Sequence, residues 1–263
     1  MKNPSSFDLP FARGSGRAGR SGRLSAQKRV VTAADAVRFI DAAGYCLLFP
    51  VQGLPLPSLY YACARRECTT WDQYCLRIWK WKDEFGRQRR AFYTKYFKGR
   101  GTFISLKLLP HFLAGEGSAF GPGDFDRAYA AGRITADART IWAALAGHGP
   151  MATLELRHAC RFETTAGNRR FKKGMLQLSR LLLVVHSGAE QETGAWASSR
   201  FELTARAFPA AAASARQIEP AAARRVLAAK YMEWHPQADA RTIARLFGWS
   251  KAEAADAMGD REA

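Results

Sequence analysis

Between residues 168 and 182, Phe171, Met175, Leu178 and Leu182 recur at i, i+4, i+7 and i+11. One apolar stripe at this spacing predicts a long amphipathic helix starting at Asn168. Upstream, Ile141, Trp142 and Leu145 predict a helix over Ala136–Leu145, ended by Gly147-His148-Gly149-Pro150. Thr153 then caps a short helix through Leu154, Leu156 and Ala159. Downstream, Leu183–His186 reads as a strand, Ser187–Gly194 as a polar turn and Trp196–Leu203 as the returning strand. Helix, turn, helix, helix and hairpin is the order of a winged-helix module.

Earlier in the chain, Thr32 caps a predicted helix over Ala33–Ala43, where Ala36, Val37 and Ile40 keep helical spacing and Gly44 stops it. Tyr45–Val51 reads as an apolar strand, and Pro57–Arg66 as a second helix with Ser58 near its start. Trp79 and Trp81 alternate with Lys80 and Lys82, a period-two pattern that predicts a strand with one aromatic face, and Asp83-Glu84 leads into a turn at Gly86. Arg89–Lys98 reads as a helix packed through Phe92, Tyr93, Tyr96 and Phe97. Thr102–Leu106 reads as a strand and Leu108–Ala114 as a short helix. The last third is helical over Ala221–His235, Ala240–Leu246 and Ser250–Met258, and the alanine-rich Phe208–Ala215 reads as a linker.

The fold class expected is mainly α with small β-hairpins and sheet (α+β), in a tandem winged-helix or helix-turn-helix architecture. The expected organisation is a flexible basic tail over 1–29 and a helix-turn-helix-like domain over 30–133 that contains a basic, aromatic β region. A winged-helix domain over 134–206 and a C-terminal helical domain over 207–263 follow.

Charge changes the picture from fold to partner. The 263 residues carry 40 Lys or Arg against 23 Asp or Glu, a net charge of +17. Such an excess is self-repulsive in a compact fold and is usually offset by a polyanion. It is also localised: residues 1–29 sum to +6, residues 65–107 to +8 and residues 151–186 to +5, while 187–263 is neutral. On the stripe-bearing helix, Arg169, Arg170, Lys172, Lys173, Gln177 and Arg180 all lie off the apolar face, the division a DNA recognition helix requires. Arg and Gln can bond purine edges, whereas Lys more often holds phosphate. Trp79, Trp81 and Lys82 are a second candidate contact, with the rings stacking on unpaired bases. Beside them, Asp83 and Glu84 are the candidate catalytic carboxylates. The competing reading of this run is a packed strand followed by a solvated turn.

Other chemistries find no support. The chain has no apolar run long enough for a membrane span and no secretory h-region. Ser-His-Asp, phosphate-loop and dinucleotide patterns are missing, and His111, His148, His158, His186 and His235 are scattered. Cys46, Cys63, Cys68, Cys75 and Cys160 form no framework spacing, so free thiols, a reducing compartment and no metal or other cofactor are expected.

Several blocks together resemble a known family. These are TAADAVRFIDAAGYCLLFPVQGLPLPS (32–58), WKWKDE (79–84), TFISLKLLP (102–110), HGPMATLELR (148–157) and GMLQLSRLLLVV (174–185). Their order is similar to that of the AlkZ-related, YcaQ-like winged-helix proteins of the DNA glycosylase superfamily, over residues 30 to about 250. The resemblance implies tandem winged helices around a DNA channel, no metal cofactor, and excision of alkylated or crosslinked bases. The family's catalytic Gln-x-Asp or Gln-x-Gln falls here on Leu47, Leu48 and Phe49, so those roles cannot be transferred. The expected function is therefore a monomeric, cytoplasmic, nucleoid-associated protein that binds double-stranded DNA in damage recognition or repair. The alternative is a non-catalytic winged-helix transcriptional regulator.

Overall fold

The computed structural model describes residues 28–117, 124–194 and 197–259; the expected tail up to residue 27 and Trp196 lie outside the described residues. Thr32 caps α1 (Ala33–Ala43) by accepting from the Asp35 N–H, while Asp35 accepts from the Thr32 N–H, a reciprocal capping box. Gly44, at φ 79°, turns the chain into β1 (Tyr45–Leu47), three residues long where seven were expected. Ser58 caps α2 (Leu59–Ala64), and Asp72 caps α3 (Gln73–Gln88) through the Tyr74 and Cys75 N–H groups.

Helix α3 corrects the expected aromatic strand: Trp79, Trp81, Asp83 and Glu84 are all helical. Cys75, Ile78, Trp81, Lys82, Phe85 and Gly86 form one buried helical face. A four-residue alternation fits either period, and burial of the longer face decides for the helix. The expected helix over Arg89–Lys98 is instead β2 (Phe92–Lys95) followed by a 3-10 turn at Phe97–Gly99 and β3 (Gly101–Ile104). Both faces of β2 are covered, so its apolar run has no alternation to reveal a strand. The three strands form an antiparallel sheet in the order β1-β3-β2, with Tyr45 and Phe92 both opposite Ile104.

After α4 (Leu109–Gly115) and α5 (Asp124–Ala130), the expected order of helix, turn, helix, helix and hairpin appears, with a short strand added after the turn. It comprises α6 (Ala136–His148), β4 (Met151–Ala152), α7 (Thr153–Ala159), α8 (Thr165–Arg180), β5 (Val184–Glu190) and β6 (Ser198–Leu203). The sheet order is β4-β6-β5. Helix α8 begins earlier than Asn168, because Thr164 supplies its cap. Helix α7 has Ala152 at its cap position, while the Thr153 hydroxyl donates to the Ser199 carbonyl. Phe171, Met175 and Leu178 are buried against Ile141, Trp142 and Leu145, each stabilising the unit by about 1.5–3 kcal/mol. At Gly174 an added Cβ would lie 2.8 Å from Ile141 Cδ1, so α8 and α6 meet at a glycine.

The chain finishes in α9 (Thr204–Ala207), α10 (Pro209–Ala215), α11 (Pro220–Trp234), α12 (Ala240–Phe247) and α13 (Lys251–Met258). The segment expected to be a linker is thus helical: Pro209 starts α10, and Ala212 and Ala215 are buried. These C-terminal helices share a core with the first sheet. Tyr45 packs edge-on to Phe112 and Phe247, and its hydroxyl donates to the Leu227 carbonyl at 3.2 Å. The Trp234 indole N–H reaches the Ala43 carbonyl at 3.3 Å.

The two sheet-bearing regions meet where α3 lies on β5. A bulge separates His186 from Gly188, which has φ 121°. Opposite it, Gly86 has no side chain, and a Cβ there would fall 2.7 Å from the His186 carbonyl oxygen. This glycine lets α3 approach the bulged strand closely enough for their polar side chains to touch.

Candidate functional site

At that seam three titratable side chains converge. Lys82 Nζ lies 2.6 Å from Asp83 Oδ1 and 3.1 Å from His186 Nε2, and His186 Nε2 is 3.1 Å from the same Asp83 oxygen. The Gly188 N–H points at His186 Nδ1 at 3.4 Å, which favours the tautomer with its proton on Nε2, facing Asp83. Burial, reinforced by the Lys82 charge, lowers the His186 pKa to about 4 and keeps the ring neutral at pH 7. Burial alone would raise the Asp83 pKa. The hydrogen bond from His186 and the charge of Lys82 outweigh it and hold the carboxyl below its ordinary value.

The three are not equally accessible. Lys82 and His186 side chains are 3% exposed, whereas Asp83 is 25% exposed. The face of Trp79 covers the Lys82 ammonium at 4.4 Å, and Tyr93 meets the His186 ring edge-on. The arrangement therefore fixes one ionised carboxylate at the rim of a buried cation. A fixed anion of this kind can stabilise a developing cation beside it.

Of the two nominated carboxylates, only Asp83 joins this cluster. Glu84, half-buried on the next position of α3, accepts instead from the Gln88 side chain at 3.2 Å. Two nominated DNA contacts are also corrected. Trp81 is 8% exposed and stacks on Phe85, and Lys82 is buried in its ion pair, so neither presents itself to a nucleic acid. Trp79 is partly exposed, with its ring against Trp71. His186 was missed because nothing in an apolar run ending in His marks a partner more than 100 positions away.

Helix α8 divides its nominated residues in two. Arg169, Lys173 and Arg180 are exposed along one line, with the exposed Leu176 between them. Arg170 is clamped to Asp137, its Nε 3.1 Å from both carboxylate oxygens and its Nη2 2.6 Å from one. Gln177 accepts from the Thr135 N–H and hydroxyl at 3.0 and 2.9 Å and donates to the Arg133 carbonyl. These two side chains close the α6–α8 junction. Lys172 is half-buried; desolvation, then the nearby charges of Arg157 and Lys95, lower its pKa.

The α8 line continues onto the other region. Gly99, in the turn between β2 and β3, would place a Cβ 3.1 Å from Leu176 Cδ1, and its neighbours Lys98 and Arg100 are exposed. Two basic segments separated by about 70 positions thus meet at Gly99 and Leu176. A further basic group surrounds Tyr74, whose ring has the guanidinium groups of Arg29, Arg66 and Arg77 within 5.3 to 5.9 Å. The acid in the β5–β6 turn also has a structural partner: Glu192 accepts from the Leu154 and Glu155 N–H groups at the start of α7.

Leu47, Leu48 and Phe49 are all buried in apolar cores. Among the described residues no group of His, Cys, Asp and Glu could hold a metal ion, and no helix is long and apolar enough to cross a membrane.

A comparison with curated proteins finds no match. Among solved structures, the chain is similar to the DNA glycosylase AlkZ of Streptomyces sahachiroi, with a TM-score of 0.54 and 16% sequence identity. The likeness covers 90% of this chain and 61% of that one, and at this identity it speaks for the fold. The family model described as AlkZ related matches residues 30–248, most of the sequence, and the chain belongs to that family.

Proposed function

We propose that this protein binds duplex DNA through a winged-helix module over residues 134–206 together with the turn between β2 and β3, and that it serves in DNA damage recognition or repair. The observation that carries this reading is the row of exposed cations Arg169, Lys173 and Arg180 on α8, beside the turn that carries the exposed Lys98 and Arg100. Phosphates are its natural ligands, because each such cation releases a condensed counterion on binding.

The same surface argues against a sequence-reading regulator. Arg170 and Gln177, which are suited to purine edges, spend their hydrogen bonds inside the protein. A binder that grips backbone rather than bases suits a protein that must inspect many sequences. The Arg169→Ala/Lys173→Ala variant is expected to weaken binding by a similar factor on unrelated duplexes. Loss confined to one sequence would instead support the regulator.

Family membership and the ionised Asp83 favour a second step, cleavage of an N-glycosidic bond. Extruding a base costs a few kcal/mol, and the sugar left behind carries positive charge that a fixed carboxylate stabilises. Single-turnover reaction with an alkylated duplex is expected to give abasic product, slowed about 100-fold by Asp83→Asn. Binding without any abasic product would remove the enzymatic step and leave the DNA-binding role.

A further inference from the structure

Two thiols face each other at the start of α3, beside the basic group around Tyr74. Cys75 is on the first turn of the helix and buried, whereas Cys68 lies in the preceding irregular segment and is half-buried. Their sulfur atoms are 3.7 Å apart, in van der Waals contact, and both approach the Thr70 carbonyl oxygen. Asp72, between them in sequence, accepts from the Cys75 N–H and from the Tyr60 hydroxyl, so the helix end that carries Cys75 is fixed.

We propose that Cys68 and Cys75 are a modification site, a thiol pair that a hydroperoxide oxidises to a disulfide. The contact must close by about 1.7 Å to reach a disulfide length near 2.05 Å. Cys75 is held by the helix, so the movement falls on the segment between Glu67 and Trp71, which has no regular structure to break. In the first step the Cys68 thiolate attacks a peroxide oxygen. The S–O bond forms, the O–O bond breaks, and hydroxide leaves and takes up a thiol proton to become water. In the second step the Cys75 sulfur attacks the Cys68 sulfenic acid. The S–S bond forms, the S–O bond breaks, and the oxygen leaves with the second thiol proton as another water. Two thiols are oxidised and one peroxide is reduced.

The other cysteines do not compete. Burial pushes the Cys46 thiol up, the Cys63 thiol to about 12 and the Cys160 thiol to about 11, which keeps all three protonated. Cys68 is shifted the other way, chiefly by its hydrogen bond with Cys75. The thiolate therefore forms at the more accessible partner of the pair in contact. Trp71 follows Cys68 by three positions and packs on Trp79 at 5.9 Å, so closure also moves a reporter that touches the cover of Lys82.

The test treats the full chain with hydrogen peroxide and counts thiols after denaturation. Titratable thiols are expected to fall from five to three. The tryptic peptide 67–77, which contains both residues, is expected to lose two hydrogens, and dithiothreitol should restore it. Cys68→Ser is expected to abolish that loss, and intrinsic tryptophan emission should change only in the parent chain. Five surviving thiols would overturn the proposal, as would oxygen added to Cys68 without a cross-link, or a disulfide involving Cys46, Cys63 or Cys160. None of these outcomes depends on DNA binding.

Discussion

Asp83 and Glu84 are adjacent in sequence, yet the helix assigns them opposite circumstances. Asp83 compensates a Lys82 ammonium that is 3% exposed, so Asp83→Ala leaves that charge without its carboxylate. The expected cost is about 3 kcal/mol in urea denaturation, whereas Glu84→Ala, outside that cluster, should stay within about 0.5 kcal/mol. Comparable effects would remove the distinction. His186 gives the same cluster a pH signature. Its folded pKa, about 4, lies below the ordinary 6.5, so between these values the unfolded chain binds the extra proton. Stability from this group is therefore fully present above pH 6.5 and is lost as pH falls towards 4, by about 3 kcal/mol. Asp83 adds a loss at still lower pH, because its own pKa is depressed. His186→Gln should flatten the upper window, and an unchanged slope between pH 6.5 and 4 would show that the ring is not held neutral.

At the scale of elements, α3 and β5 are the pair on which the site depends. Gly86→Ala would bring a methyl within 2.7 Å of the His186 carbonyl oxygen, a backbone atom that cannot swing aside. Loss of about 1–3 kcal/mol is expected, together with a weaker pH slope as Asp83 and His186 part. A fully stable variant would mean that α3 is free to move off the strand. This contact also explains where sequence reading stopped. The α8 stripe and the Thr32 cap were legible because each repeats over one helix or occupies one cap. The Trp-Lys alternation at 79–82 was not, because a buried lysine looks polar in any pattern and hides the helical face that Ile78, Trp81 and Phe85 define. In β2, aromatics on both faces imitate a helical stripe. The Asp83–His186 contact joins residues from distant elements and leaves no local signal.

For the molecule as a whole, charge distribution was visible in the sequence but its spatial sum was not. The +8 and +5 segments appeared as separate footprints, and packing of Gly99 against Leu176 joins them. The net charge of +17 then has a geometric meaning: part of it comes together where two regions of the fold meet. The most direct test is the salt dependence of binding to an undamaged duplex. It should be measured for the parent chain and for a variant with Lys98, Arg100, Arg169 and Lys173 all changed to Ala. Affinity of the parent should fall steeply, by about 10³-fold or more between 50 and 200 mM salt, and the variant should lose about 3–4 units of the log–log slope. Binding that is flat across that range, or a slope the four substitutions leave unchanged, would contradict the claim that this surface holds DNA.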